Sequence, residues 1–235
     1  YGAASPPISQ DCYSGATLNA YGLVTSLGTQ QTTWLAPVVT KGPNYVDLGG
    51  GANSYISAPD TAALSIASDL TLIALVSLDD WTPAATSTIL AKWNTTGNQR
   101  AYALQVTTGG NLRLILSTAG SAAITKDSTA ALASTAGIAD GAASYVAATF
   151  DANNGAGGYD VRFWYSTDGI TWTQLGSTVT TATPITLFDS TALLEIGAHD
   201  RGTHSRGCSR THGAGRYAIL GTEFKKCDAN GAVKE

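Results

Sequence analysis

Four side chains able to ligate zinc, His199, His204, Cys208 and His212, lie within fourteen residues of one another. Imidazole and thiolate are the usual ligands of tetrahedral zinc. The spacing matches no compact zinc module, and Gly202, Gly207 and Gly213 interrupt it, so the stretch reads as a surface loop. Acidic turns are the second candidate. Asp79-Asp80 and Asp151-Ala152-Asn153-Asn154 offer oxygens of the kind calcium gathers, about six to eight at a time. Asp and Asn also favour turns without any ion, because their side chains bond the backbone two residues on. Calcium is therefore the one cofactor candidate, and no resident metal is expected.

Hydrolytic chemistry finds little to work with. Retaining glycosidases need two carboxyl groups roughly 5 Å apart, one of them a proton donor. Glu is confined to Glu195, Glu223 and Glu235, and no strand carries it at alternate positions. Asp79 and Asp80 are adjacent, so on a strand they would face opposite ways. There is no Gly-x-Ser-x-Gly elbow, no His-Glu-x-x-His and no phosphate-binding loop. Gly49-Gly50-Gly51 opens no helix and reads as a turn. Ser166-Thr167-Asp168-Gly169-Ile170-Thr171-Trp172 resembles the sialidase Asp-box but lacks the residue that box places between Asp and Gly. It is expected to form a β-hairpin with Asp168-Gly169 at its tip and Trp172 packed inward. No catalytic residue is assigned, and the chain is expected not to be an enzyme.

Aromatic residues at strand ends are the remaining functional candidates. A pyranose has an apolar face that stacks on a ring while its hydroxyl groups take polar partners. Trp81, Trp93, Asn94, Arg100 and Tyr102 are the candidate glycan contacts on this argument, with ordinary packing as the competing reading.

Composition limits the frame that holds them. The chain has 235 residues, 43% of them hydrophobic and 13% charged, enough for one domain with a sizeable core. Scarce Glu and Lys argue against helical bundles, while 26 Gly and 7 Pro among many Thr, Ser and Ala suit short strands and tight turns. The net charge of −4 gives no basic face for nucleic acid, and no apolar run is long enough to span a membrane. Residues 1–200 hold six Lys/Arg against fourteen acids, whereas residues 201–235 hold seven against three. That basic end reads as a packed or solvated final strand. Cys12, Cys208 and Cys227 are too few for a disulfide framework. The chain opens at Tyr1 and contains no Met, which leads us to expect a processed product or part of a longer one.

Residues 1–43 lack periodicity and read as an N-terminal arm or linker, with one strand near 34–39. From residue 44 to 235 a single β-sandwich is expected. Residues 70–78 form the strongest strand, apolar on both faces and so central in its sheet. Further strands are expected at 45–48, 54–57, 87–93, 100–107, 111–117, 144–150, 159–165, 192–197 and 216–220. Residues 127–143 read as loop or irregular strand. Ten to twelve short strands with regular turns predict an all-β, two-sheet antiparallel sandwich of the jelly-roll kind.

Several segments together carry a resemblance. Asn44-Tyr45-Val46-Asp47-Leu48, Tyr55-Ile56-Ser57-Ala58-Pro59, Leu64 and Asp69-Leu70-Thr71-Leu72 resemble the opening of laminin-G-like, concanavalin A-like domains. Ile89-Leu90-Ala91-Lys92-Trp93, Val161-Arg162-Phe163-Trp164-Tyr165-Ser166, Glu195-Ile196-Gly197 and Gly215-Arg216-Tyr217 continue it to about residue 220. The Ser-x-Asp-Gly-x-x-Trp hairpin and Ala/Thr-rich loops are similar to domains on tailed-bacteriophage virion proteins. The resemblance implies a lectin-like jelly roll that binds glycans or proteins through rim loops, sometimes with calcium. Catalytic members of the family carry a Glu-x-Asp-x-Glu strand, which this sequence lacks.

The function expected from this resemblance is that of a non-enzymatic virion structural or adhesive protein of a tail, fibre or capsid decoration. Its partners would be other virion proteins and host-surface glycans, with no nucleic acid or membrane partner, in a homo-oligomer or symmetric assembly on the extracellular particle. The alternative is a secreted carbohydrate-binding module of a larger enzyme or adhesin. Fold alone does not decide between them.

Overall fold

The computed structural model describes residues 40–41, 46–48, 55–199 and 216–217. The expected strand at 34–39, the glycine turn at 49–51, all three cysteines, His204 and His212 lie outside the described residues. So do residues 218–220 of the last strand.

Two antiparallel sheets account for nearly all the regular structure. The strands are β1 (Thr40–Lys41), β2 (Val46–Asp47), β3 (Ile56–Ala58), β4 (Leu70–Ser77), β5 (Ser87–Asn94), β6 (Gln99–Val106) and β7 (Asn111–Leu116). They continue as β8 (Ile124–Ala131), β9 (Ala143–Asp151), β10 (Gly158–Ser166), β11 (Thr173–Gln174), β12 (Val179–Ala182), β13 (Leu194–Ile196) and β14 (Arg216–Tyr217). The larger sheet runs β1-β2-β14-β4-β9-β10-β11, with β12 also paired to β10; the smaller runs β3-β13-β5-β6-β7-β8. The all-β sandwich is as expected. The sheet takes in Thr40–Lys41, ahead of the boundary read at residue 44.

Alternation explains the layering. In β4, Leu70, Leu72, Ala74 and Val76 are buried toward the opposite layer, facing Val146, Ala148 and Phe150 of the same sheet in register. In β10, Val161 and Phe163 do the same, and Leu112, Leu114 and Leu116 of β7 come from the other side. Each such Val, Leu or Phe side chain contributes about 1.5–3 kcal/mol on burial. Strand β4 is central, between β14 and β9, as its two-sided apolar pattern requires.

Two strands lie where the sequence carries no strong signal. Residues 127–143 divide into the end of β8, a single π-type turn over Leu132–Ala136 and a loop. Strand β12, Val-Thr-Thr-Ala, was not anticipated at all. Both lie at sheet margins, where backbone pairing suffices and no apolar stripe is needed. They also protect each other. Lys126 Nζ donates to Thr181 Oγ1 at 2.7 Å, and Ser177 N donates to Thr129 Oγ1 at 2.7 Å. The segment around β12 thereby shields the β8 edge.

Candidate functional site

The β5–β6 hairpin gathers four of the five residues singled out for glycan contact. Trp93 pairs with Arg100, and Tyr102 pairs with Lys92 one step further in; Asn94 pairs with Gln99. Trp81 stands apart, in the connection from β4 to β5. The geometry corrects the role of two of these residues. Trp81 and Tyr102 are each 0% exposed and belong to the interlayer core. A ring with no free face cannot stack on a sugar. Tyr102 donates its hydroxyl to Leu64 O at 3.1 Å, and burial, then the charge of Asp60, pushes its phenol above the ordinary range. Trp93 is only 7% exposed and packs with Ala91 and Ala103. Asn94 accepts the Thr96 N–H at 2.8 Å, and Arg100 donates to the carbonyls of Gly120 and Ser121. The polar groups of this hairpin are spent on its own turn and on neighbouring loops.

The acidic turns are similarly self-contained. Asp151 Oδ1 accepts Asn153 N, Asn153 Oδ1 accepts Gly155 N, and Asn154 Oδ1 accepts the N–H groups of Ala156 and Gly158. Asp80 Oδ1 accepts from both the N–H and the hydroxyl of Thr82. Turn geometry uses these oxygens without an ion. Of the His/Cys cluster only His199 is described; its Nδ1 shares a hydrogen bond with Thr88 Oγ1 at 3.1 Å. Among the described residues, no group of three or more His, Cys, Asp or Glu is placed to hold a metal.

A different surface combines rings with oriented polar groups. The outward positions of β10 are Asp160, Arg162 and Trp164, between the buried Val161 and Phe163. Trp164 lies opposite Ala147 of β9 on one side and Gln174 of β11 on the other. Its indole donates to Thr149 Oγ1 at 3.2 Å. Tyr145, the next outward residue of β9, lies diagonally beside Trp164 and meets Trp172 edge-on, with ring centroids 6.3 Å apart and planes at 72°. Tyr145, Trp164 and Trp172 are all half-buried, so each keeps some surface toward solvent. Trp172 was expected to turn inward; Leu175 takes the buried place instead, its N–H bonded to Phe163 O at 2.8 Å.

The hairpin tip that seats Trp172 is locked by one carboxylate. Asp168 Oδ1 accepts the N–H of Thr171 at 2.7 Å, that of Ile170 at 2.8 Å and the Ser166 hydroxyl at 2.9 Å. Gly169 is left-handed, with φ +74°, and a Cβ there would come within 2.9 Å of the Tyr145 ring. The tip therefore lies flat on that ring, and only glycine permits it. The backbone bonds from Thr171 and Ile170, then the Ser166 hydroxyl, hold the Asp168 carboxyl down to about 2. A lowered value means the clamp is complete above the ordinary carboxylate range and is lost as pH falls through about 2. The Ile170 and Thr171 amide NMR signals are expected to shift in acid with a midpoint near 2. A midpoint near the ordinary value of about 3.9 would show that the clamp does not form in solution.

Beyond Trp164 the face turns polar. Arg162 donates from Nη2 to Asp160 Oδ2 at 2.8 Å and from Nε to Thr178 Oγ1 at 3.3 Å. Asp160 Oδ1 accepts from Thr180 Oγ1 at 2.7 Å and Asn154 Nδ2 at 2.9 Å. Burial opposes ionisation of Asp160, but the bonds from Asn154 and Thr180 and the Arg162 charge outweigh it and lower its value. Asp151 stands directly opposite Asp160 across the sheet. Asp160 is held ionised with both oxygens engaged, which suits it to orienting Arg162 and not to donating a proton. The alternation of Arg162 and Trp164 with Val161, Phe163 and Tyr165 was the sequence signal for this face.

No protein-family model matches the chain, and no curated protein matches it in sequence. Similarity to solved structures is confined to the fold. The binding domain of botulinum neurotoxin serotype G aligns with a TM-score of 0.52 at 8% identity, covering 82% of this chain and 42% of its own. The binding domain of serotype D/C aligns at 0.53 with 10% identity, covering 82% and 44%. This chain spans less than half the length of either. A heptameric SAP-like pentraxin from Limulus polyphemus aligns at 0.41 with 16% identity over 70% of this chain and 72% of its own, too distant to argue from. At such identities the neurotoxin matches support the two-sheet antiparallel sandwich fold and nothing finer.

Proposed function

We propose that this chain is a non-catalytic glycan-binding module whose binding surface is the outer face of the larger sheet. One observation carries the reading. Three half-buried rings, Tyr145 edge-on to Trp172 and Trp164 diagonally beside Tyr145, lie beside hydrogen-bonding groups already fixed by their neighbours. Pre-oriented rings and polar groups bind at low ordering cost, and a sugar needs both kinds of contact. The neurotoxin binding domains that share the fold are compatible with a binding role. The engaged state of Asp160 beside Asp151 favours binding over hydrolysis.

The module would serve as an adhesive element on a bacteriophage particle, in a tail, fibre or capsid decoration. The resemblance of its Ser-x-Asp-Gly-x-x-Trp hairpin to virion domains is the support for that finer placing. Micrographs of particles labelled with antibody against the chain test it; label absent from virions would overturn it.

The binding reading is tested on a glycan array with the intact chain and Trp164→Ala. The variant is expected to bind about thirtyfold more weakly, the loss of a contact of about 2 kcal/mol, with unchanged melting behaviour. Trp93→Ala provides the contrast, since that ring is only 7% exposed and has little face to offer. Binding that survives Trp164→Ala and is lost in Trp93→Ala would place the site on the β5–β6 hairpin instead.

A further inference from the structure

The charge of the outer face limits which glycans it accepts, and we infer that it selects neutral, hydroxyl-rich chains and rejects those bearing carboxylate or sulfate groups. This rests on the glycan-binding reading above. An acidic sugar gains most from a cation whose charge is not already neutralised. Arg162 is the one described cationic side chain on this face beside the rings, and it is committed to Asp160 at 2.8 Å. Its Nε is committed too, to Thr178.

The other cations whose side chains are described are engaged elsewhere. Lys92 is paired with Asp60, Arg113 with Asp127, and Arg100 with loop carbonyls of the smaller sheet. Lys126 donates to Thr181 and lies over the Tyr159 ring, whose side chain belongs to the interlayer core. Arg216 is in β14, three strands from β10 in the sheet order β14-β4-β9-β10. It is two strands, about 10 Å at the usual spacing, from Tyr145 in β9 and about 14 Å from Trp164, both beyond the screening length of about 8 Å at physiological salt.

Acids, by contrast, sit at both ends of the strip. Outward positions on a strand recur about every 7 Å, so Trp164 and Asp160 are roughly 14 Å apart. Asp168 closes one end, at the hairpin that covers Tyr145, and its lowered value keeps it charged. Asp160 and Asp151 face each other at the other. Among the described residues, a ligand lying along Tyr145, Trp164 and Arg162 therefore meets an Arg162–Asp160 pair that cancels itself and two further carboxylates, Asp168 and Asp151. Neutral hydroxyl groups carry no charge for that field to repel.

The experiment uses the intact chain and an array that pairs each neutral oligosaccharide with its uronic-acid, sialylated or sulfated counterpart. Neutral members are expected to bind at least about tenfold more tightly than their acidic partners near physiological salt. That ratio is expected to narrow at high salt and in Asp151→Asn. Acidic partners that bind as tightly as neutral ones, or more tightly, would overturn this inference while leaving glycan binding intact. A preference insensitive to both salt and Asp151→Asn would overturn its electrostatic cause. A chain that binds no member of either set overturns the glycan-binding reading itself.

Discussion

Trp81→Ala is expected to destabilise the fold by about 3–5 kcal/mol and to lower the melting temperature by roughly 10 °C. The indole is fully buried at the end of the interlayer core, and no neighbour can fill its volume without moving strands. Its backbone is pinned as well: Trp81 N–H donates to Asp140 Oδ1 at 2.9 Å. Gly110, left-handed at φ +76°, comes so close that a Cβ would lie 2.9 Å from Trp81 O. The indole Nε1 is buried without a hydrogen-bond partner. An orphaned donor costs about 1–3 kcal/mol, so Trp81→Phe removes that penalty while giving up part of the ring. The Phe variant is expected to stay within about 1.5 kcal/mol of the parent. Thermal and urea unfolding of both variants check this. A Trp81→Ala chain that melts like the parent would show that the ring is not a core element.

Asp60→Ala is expected to destabilise by about 3 kcal/mol, more than removal of its partner by Lys92→Met. The pair is asymmetric. Lys92 is 0% exposed, whereas the Asp60 side chain keeps 29% of its surface in water. Their atoms approach to 2.8 Å, and Lys92 also donates to Ser190 O. Removing Asp60 leaves an ammonium group in the interior without its counter-charge, a change that typically costs about 3–5 kcal/mol. Removing Lys92 leaves a carboxylate that water can still reach, and Met fills the vacated stem with apolar volume. Replacing a buried ion by a matched apolar side chain is often close to neutral. The urea midpoints of the two variants decide the matter. Equal losses, or a larger loss for Lys92→Met, would mean that Lys92 is not a buried cation held by Asp60.

Much of the architecture was legible because strand burial follows a period of two. Leu112, Leu114 and Leu116, or Leu70 through Val76, state which side faces the core before any partner is known. The marginal strands β8 and β12 were not legible in this way, because their pairing is made by main-chain groups that every residue carries. Aromatic residues misled for a related reason. Trp81, Trp93 and Tyr102 are aromatic residues in or beside strands just as Trp164 and Trp172 are, and residue type does not distinguish a covered ring from an open one. In the β5–β6 hairpin the register shifts between Lys92 and Trp93, so extrapolated alternation fails at the very residues in question.

Sequence alone determined that this chain builds two antiparallel layers from short strands, places Asp168-Gly169 at a hairpin tip, and carries no strand with paired glutamates. Those are local properties, written in side-chain alternation and turn chemistry. Only the tertiary structure decided which rings keep a face in water and which polar groups are already spent. Exposure depends on what the opposite layer and the neighbouring hairpins cover. Asp160 and Arg162 are joined to Thr180 and Thr178 only when β12 folds back along β10, and Asp160 to Asn154 only when the β9–β10 turn closes. The bonds that orient the face close across strands, and no spacing along the chain records them.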